Sequence, residues 1–316
     1  MQTLTLHDKT TMPAFGLGTW NAPEEEIVPA VRRALEMGYR HIDCAAVYGN
    51  QPHIGRALES ALAAGDVSRD DLWVTSKLWN NRHAPEDVRP ALEQTLGDLR
   101  LDHLDLYLVH WPVALRHEAT SAKSMEDFVD IPIEATWEAM AAVKEAGLTR
   151  QIGVSNHSPT KLRHLVATTG VVPAVDQVEM HPYLAQRELV EAAIELGVAL
   201  TAYSPLGSPG SGKMFGRGEE QRIIEDPTVV RIGAARDATP AQILIAWALR
   251  RGTSVIPKST NESRLRENLV ATELELGDDD MAALDALDRR HRYIDGTFWC
   301  HENSPWTLER LWDEAP

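Results

Sequence analysis

A single α/β barrel of eight β-then-α units, a (β/α)8 TIM barrel filling residues 1–316, is the fold this sequence predicts. Three observations point to it. Eight short β-rich apolar segments recur along the chain, most of them followed by a stretch with helical periodicity. The segments are nearly continuously apolar, as the strands of a parallel sheet buried on both faces must be. Finally, Gly16 and Gly18 of the first segment are succeeded by Thr19, Trp20 and Asn21, so the GxGxxG fingerprint of a doubly wound dinucleotide sheet is missing there.

Taken in order, PAFGLGTW near the amino terminus is the weakest strand candidate, and an N-terminal β-hairpin is expected beside it. HIDCA begins at His41, WVTSK at Trp73, DLYLVH at Asp105, QIGVSN at Gln151, AVDQVEM at Ala174, ALTAYS at Ala199 and TSVIPKS at Thr253. Between them EEEIVPAVRRALEMG, PEDVRPALEQTLGDLR, PIEATWEAMAAVKEAG and PAQILIAWALRRG read as amphipathic helices, the first with acids in its opening turn. Gly38, Gly147, Gly197 and Gly252 stand where C-terminal caps belong. Three stretches leave the repeat: 114–130, 207–220, and an extended C-terminal loop from about Arg290. Long loops in compact domains usually carry function. Gly207 to Lys213 approaches a phosphate-loop pattern, but Met214 replaces the metal-binding Ser or Thr and FGRGEE does not read as a helix, which excludes a Walker loop.

Composition narrows the class further. The 316 residues are 43% hydrophobic and 25% charged, with no apolar run near the roughly 18 needed to span a bilayer, so a soluble globular chain without a membrane partner is expected. The 31 basic against 47 acidic residues give a net charge of −16, which disfavours nucleic acid as a partner and leaves room for a local basic pocket. A surface adapted to high salt is compatible with the same number. Cys44 and Cys300 are too few for a disulfide framework or a four-thiolate zinc site, and no metal is expected. MQTLTLHDKT has no basic stretch followed by an apolar one, so the cytoplasm is the expected location.

In such a barrel the reacting groups belong at the C-terminal ends of strands. Asp43, Lys77 and His110 end three consecutive strand candidates, and Tyr48 follows Asp43 by five residues. Each alone has a bland reading: a packing aromatic, a satisfied core histidine, a structural ion pair. Their convergence on one rim favours chemistry, because a buried Lys or Asp needs a partner and functional sites concentrate such groups. A free phenol titrates near ~10 and exchanges protons at neutral pH only beside a cation. Lys77 can be that cation, Asp43 can keep it charged, His110 can hydrogen-bond a substrate oxygen, and Tyr48 becomes a general acid for a carbonyl being reduced.

With these residues in place the sequence resembles the aldo-keto reductase superfamily, over essentially its whole length. The motifs are GYRHIDCAAVYGNQPHIGRAL, VTSKLWN, LVHWP, IGVSN and IPKSTNESRLREN. The resemblance implies that Asp43, Tyr48, Lys77 and His110 form a catalytic tetrad and that NADP(H) binds without a Rossmann domain. It implies that Ser155, Asn156 and Gln177 hold the nicotinamide carboxamide, with Tyr203 stacked on the ring. Ser204, Leu206 and Ser208 would line the pyrophosphate, and Lys258, Ser259, Arg264, Glu267 and Asn268 the adenosine end with its 2′-phosphate. Trp20, Trp79, Trp111, Trp299 and Cys300 resemble positions lining a pocket for an aldehyde or ketone, Trp20 and Trp111 being the better placed. The loop Gly207 to Glu220 is more Gly-rich than the family pattern. Physically, Ser, Asn and Gln suit a carboxamide, although the same residues also cap strand ends. Arg264 suits a phosphate, although a helix face would equally pair it with Glu262 or Glu267. Two rival readings are a Schiff-base lyase using Lys77 and a catalytically silent cofactor-binding subunit. The chain is expected to act as a monomer.

Overall fold

The computed structural model describes residues 2–208, 221–302 and 304–313. A hairpin comes first: β1 (Thr3–Thr5) pairs antiparallel with β2 (Thr11–Pro13). Eight parallel strands come next, each beside its neighbour in chain order: β3 (Leu17–Gly18), β4 (His41–Asp43), β5 (Trp73–Leu78), β6 (Leu104–Val109), β7 (Thr149–Ser155), β8 (Val175–Glu179), β9 (Ala199–Tyr203) and β10 (Ser254–Val255). They coincide with the eight segments read from the sequence. Closure is made by parallel bridges from Phe15 to Val255 and from Gly18 to Lys258, so the sheet curls into a barrel. A Cβ on Gly18 would come within 2.6 Å of the Ile256 carbonyl oxygen, and only glycine allows the seam to close this tightly.

The described helices are α1 (Glu24–Met37), α2 (Gln51–Ala64), α3 (Pro85–Leu99), α4 (Ile133–Glu145), α5 (Pro159–Thr169), α6 (Arg187–Leu196), α7 (Pro227–Ala235), α8 (Pro240–Arg250), α9 (Glu262–Val270), α10 (Asp278–Asp285) and α11 (Leu308–Trp312). The four glycines expected at helix ends all have positive φ, between 74° and 106°. None of the described helices is long and apolar enough to cross a membrane.

Among the described residues three apolar clusters divide the labour. The largest lies between the outer faces of the strands and the helices, around Trp137, Trp247 and Tyr107. A second gathers Leu6 and Met12 of the hairpin region with Trp73, Leu106, Leu108 and Val175, closing the N-terminal mouth. The third sits over the opposite mouth and is dominated by aromatics: Trp111, Trp299 and Trp312, with Trp20, Trp79, Phe298, Trp306 and Cys300 packed against them. Two of the three irregular stretches fall largely among the described residues. Leu115 bridges Phe128 across the first, whose turn is held by the Asp127 carboxylate accepting the Lys123 and Ser124 N–H groups. The tail ends in α11, and the third stretch, from 209 onward, lies outside the described residues together with its phosphate-loop-like pattern.

Candidate active site

Strands β4 and β5 lie in register, so the acid at the end of one and the lysine at the end of the next point into the same mouth. Lys77 Nζ donates to Asp43 Oδ2 at 2.6 Å and to the Cys44 carbonyl at 2.9 Å. Asp43 Oδ1 accepts the Gln177 amide at 2.7 Å, which ties β8 to the pair across the barrel. Both ionic side chains are almost wholly buried. Burial is the largest influence and opposes the charge on Lys77, but Asp43, Tyr48 and Cys44 together outweigh it and lift the ammonium above its ordinary value.

Tyr48 ends a short 3₁₀ turn (Ala46–Tyr48) just past β4, which places its ring 5.2 Å from Lys77 Nζ and 6.0 Å from the His110 ring. Burial pushes its phenol up to about 12, with the Lys77 charge working in the opposite sense. Lys77 acts in the expected sense, but desolvation is the larger influence, and Tyr48 stands as a neutral phenol, the form that can give a proton. His110 lies just past β6. Burial, with Lys77 and His83 beyond it, holds the imidazole well below its ordinary value, so the ring is neutral. Two residues that sequence reasoning passed over hold this corner. Thr19 donates to the Asp43 carbonyl at 2.8 Å, and Asn50, next to the tyrosine turn, donates to the Thr19 carbonyl at 2.9 Å. The only signal for Asn50 was its place in the GYRHIDCAAVYGN run.

At the ends of β7 to β9 a polar cluster continues the rim. Ser155 donates to the Gln177 carbonyl at 2.7 Å, Asn156 donates to the His110 carbonyl at 2.9 Å, and Tyr203 donates to Asn156 Oδ1 at 2.7 Å. Asn156 and Ser204 both take left-handed backbone, φ 60° and 47°. Leu206 is half-buried and Ser208 is buried at the start of the next loop. Donors and acceptors in this arrangement match a carboxamide beside a half-buried aromatic ring, so the residues present fit a nicotinamide.

Past β10 the chain turns outward. Ser259 is buried and bonds the Asn261 backbone, and Asn261 caps α9 by accepting the Arg264 N–H. Asn268 is buried, and Glu267 accepts the Thr239 hydroxyl at 2.7 Å. Lys258 and Arg264 are exposed. Glu262 pairs instead with Arg33 and Arg266, so among the described residues neither cation has a carboxylate at ion-pair distance. Two unneutralised cations flanking a helix N-terminus fit a phosphate group.

The pocket residues expected from the sequence all belong to the aromatic cluster over the mouth. Trp79 meets the His110 ring edge-on at 5.1 Å, and Trp299 lies 5.9 Å from Trp79. Trp111 is 4% exposed, wedged among Phe298, Trp299 and Trp312, so most of its surface serves packing. Trp312 and Phe298 were not singled out from sequence, since aromatics in an irregular tail carry no periodicity to place them.

The fold and this rim define a barrel oxidoreductase, and comparison with known proteins specifies it. Residues 13–289 match the profile of the Aldo/keto reductase family. The chain is 45% identical over 317 aligned residues to an aldo/keto reductase of Synechocystis sp., covering 99% of this chain and 97% of that protein. It is 42% identical over 294 residues to aldo-keto reductase family 1 member A1 of Rattus norvegicus and of Homo sapiens, covering 92% of this chain and 90% of each relative. The protein belongs to the aldo/keto reductase family, whose members are nicotinamide-dependent oxidoreductases of carbonyl compounds.

Proposed function

We propose that this protein is an NADPH-dependent carbonyl reductase, a single barrel domain that converts aldehydes or ketones to alcohols with Tyr48 as general acid. The carrying observation is the buried Asp43–Lys77 pair beside a neutral Tyr48 and a neutral His110 under an aromatic canopy. When bound, the cofactor would supply hydride to the carbonyl carbon. His110 donates a hydrogen bond to the carbonyl oxygen, and Tyr48 passes its phenolic proton to the same oxygen as negative charge builds there. Lys77 favours the phenolate left behind, and Asp43 with Gln177 keeps the ammonium charged and aimed. Ser155, Asn156 and Gln177 would orient the carboxamide, Tyr203 the ring, Ser204, Leu206 and Ser208 the pyrophosphate, and Lys258 with Arg264 the 2′-phosphate.

The raised ammonium also weighs against a Schiff-base lyase, which needs Lys77 as a free amine. Borohydride in the presence of a carbonyl substrate should leave no adduct on Lys77. The canopy favours flat apolar substrates, at about 25 cal/mol per Å² buried. NADPH oxidation measured against a panel of aldehydes, ketones and sugars tests the whole reading. Aromatic aldehydes should lead, no turnover of any carbonyl would refute the reductase, and a lead by open-chain sugars would refute the pocket.

A further inference from the structure

Glu179 is the last residue of β8, two positions beyond Gln177, and it is 1% exposed. A carboxylate this deep needs compensation, and its partners come from the far end of the chain. Oε1 accepts the Tyr293 N–H at 2.7 Å, and Oε2 accepts the Ile294 N–H at 2.8 Å. His181, itself fully buried, is 2.8 Å from Oε1, and its ring packs edge-on against Tyr293 at 5.1 Å. Adjacent backbone N–H groups clasped by one carboxylate fix both the position and the direction of the chain at that point.

Beyond Ile294 the chain enters the aromatic canopy. Trp299 stands five residues on, in the 3₁₀ turn Thr297–Trp299. At the other end of the tail Asp313 accepts from Lys161 Nζ at 2.6 Å and from Ser158, the N-cap of α5. The tail is a strap with two anchors, one buried and one near the surface, and its span forms the roof of the proposed carbonyl pocket.

We propose that Glu179 is a positioning residue that sets carbonyl specificity, by pinning the strap that carries Trp299 without touching substrate or cofactor itself. The inference rests on the reductase reading for its kinetic test and on an independent measurement for the pin. In the full-length protein, Glu179→Gln keeps the shape but sets an amide NH₂ against a backbone N–H. The KM for an aromatic aldehyde should rise roughly tenfold, the loss expected for a charged hydrogen bond, while kcat on a three-carbon aldehyde and the NADPH dissociation constant stay within about twofold. An unchanged ratio between the two aldehydes, or an equal loss on both with weakened NADPH, would overturn the assignment. Hydrogen exchange on the unmodified protein decides even where the variant does not fold. Tyr293 and Ile294 amides should exchange as slowly as those of β8, and loop-like rates there would refute the pin. If the unmodified protein reduces no carbonyl, the reductase reading fails while the exchange result still stands.

Discussion

The two ends of the proposed cofactor groove are built on opposite principles. At the nicotinamide end several polar side chains are already committed to partners: Lys77 with Asp43, Gln177 with Asp43, Asn156 with the His110 carbonyl and Tyr203. At the adenosine end Lys258 and Arg264 extend into solvent, with their natural competitor Glu262 held by other arginines. Where geometry must be correct to a fraction of an ångström the protein commits its hydrogen bonds beforehand; where only charge must be recognised it leaves the charges open. The interior end is thus expected to respond to substitution through rate and stability, and the exterior end through affinity and salt.

Tyr48→Phe puts the greatest pressure on this contrast. It keeps the ring and removes the proton, so carbonyl reduction should fall ~10²- to 10⁴-fold with NADPH binding intact. Steady-state kinetics with fluorescence titration of NADPH check it, and turnover within a factor of a few of the parent would remove Tyr48 from the role. Lys77→Met should be felt twice. It strands Asp43 as an uncompensated buried charge, which costs about 3 to 5 kcal/mol in urea unfolding. It also moves the pH optimum for alcohol oxidation upward, because the phenolate loses its cation. An unmoved optimum would leave Lys77 as a structural partner only.

At the outer end Arg264→Ala should weaken NADPH about ten- to a hundredfold while scarcely altering NADH, with the difference shrinking as salt is raised. Equal weakening of both cofactors would dissolve the contrast between the two ends. A separate effect, on stability, comes from the buried histidines. Burial lowers His41 to about 4, His83 to about 3 and His157 to about 4. Between pH 6.5 and 4 the unfolded chain binds protons at these sites that the native protein refuses, so stability falls as pH falls, by about 1.4 kcal/mol per pH unit for each histidine. Unfolding free energies at pH 7, 5.5 and 4.5 measure the slope, and His157→Gln should reduce it by one such increment.

The contrast also explains what could be read in advance. Strands and helices of the barrel were legible because burial on both faces, or on one helical stripe, writes itself into residue periodicity. Asp43, Lys77 and His110 were legible because strand ends are predictable positions and buried charges are rare. Contacts from a side chain to a distant backbone leave no such trace: nothing in the sequence announces that Thr19 supports the Asp43 carbonyl or that Glu179 receives the tail at residue 293. The neighbourhood of Trp299 was hidden for the same reason, since it reaches Trp79 through the folding-back of a tail with no period of its own. Lys77's effect on Tyr48 had the right sign, but the strength of desolvation depends on burial depth, which only the packed structure supplies.

The seam between β3 and β10 has a consequence in time. Residues 15 to 18 meet residues 255 to 258, and just outside the seam Tyr39 donates to the Leu265 carbonyl across 226 residues of chain. A polypeptide leaving the ribosome amino end first has seven of its eight staves before it has the one that lets the ring shut. Until then the first stave keeps an open edge and the Tyr39 phenol, just ahead of the second, lacks its acceptor, both waiting on residues still to be translated. Ring closure is therefore a late event of synthesis, and Lys258, bridged to Gly18, comes into place only as it happens. The nascent chain can assemble much of its acid-base rim long before it owns a complete cofactor groove.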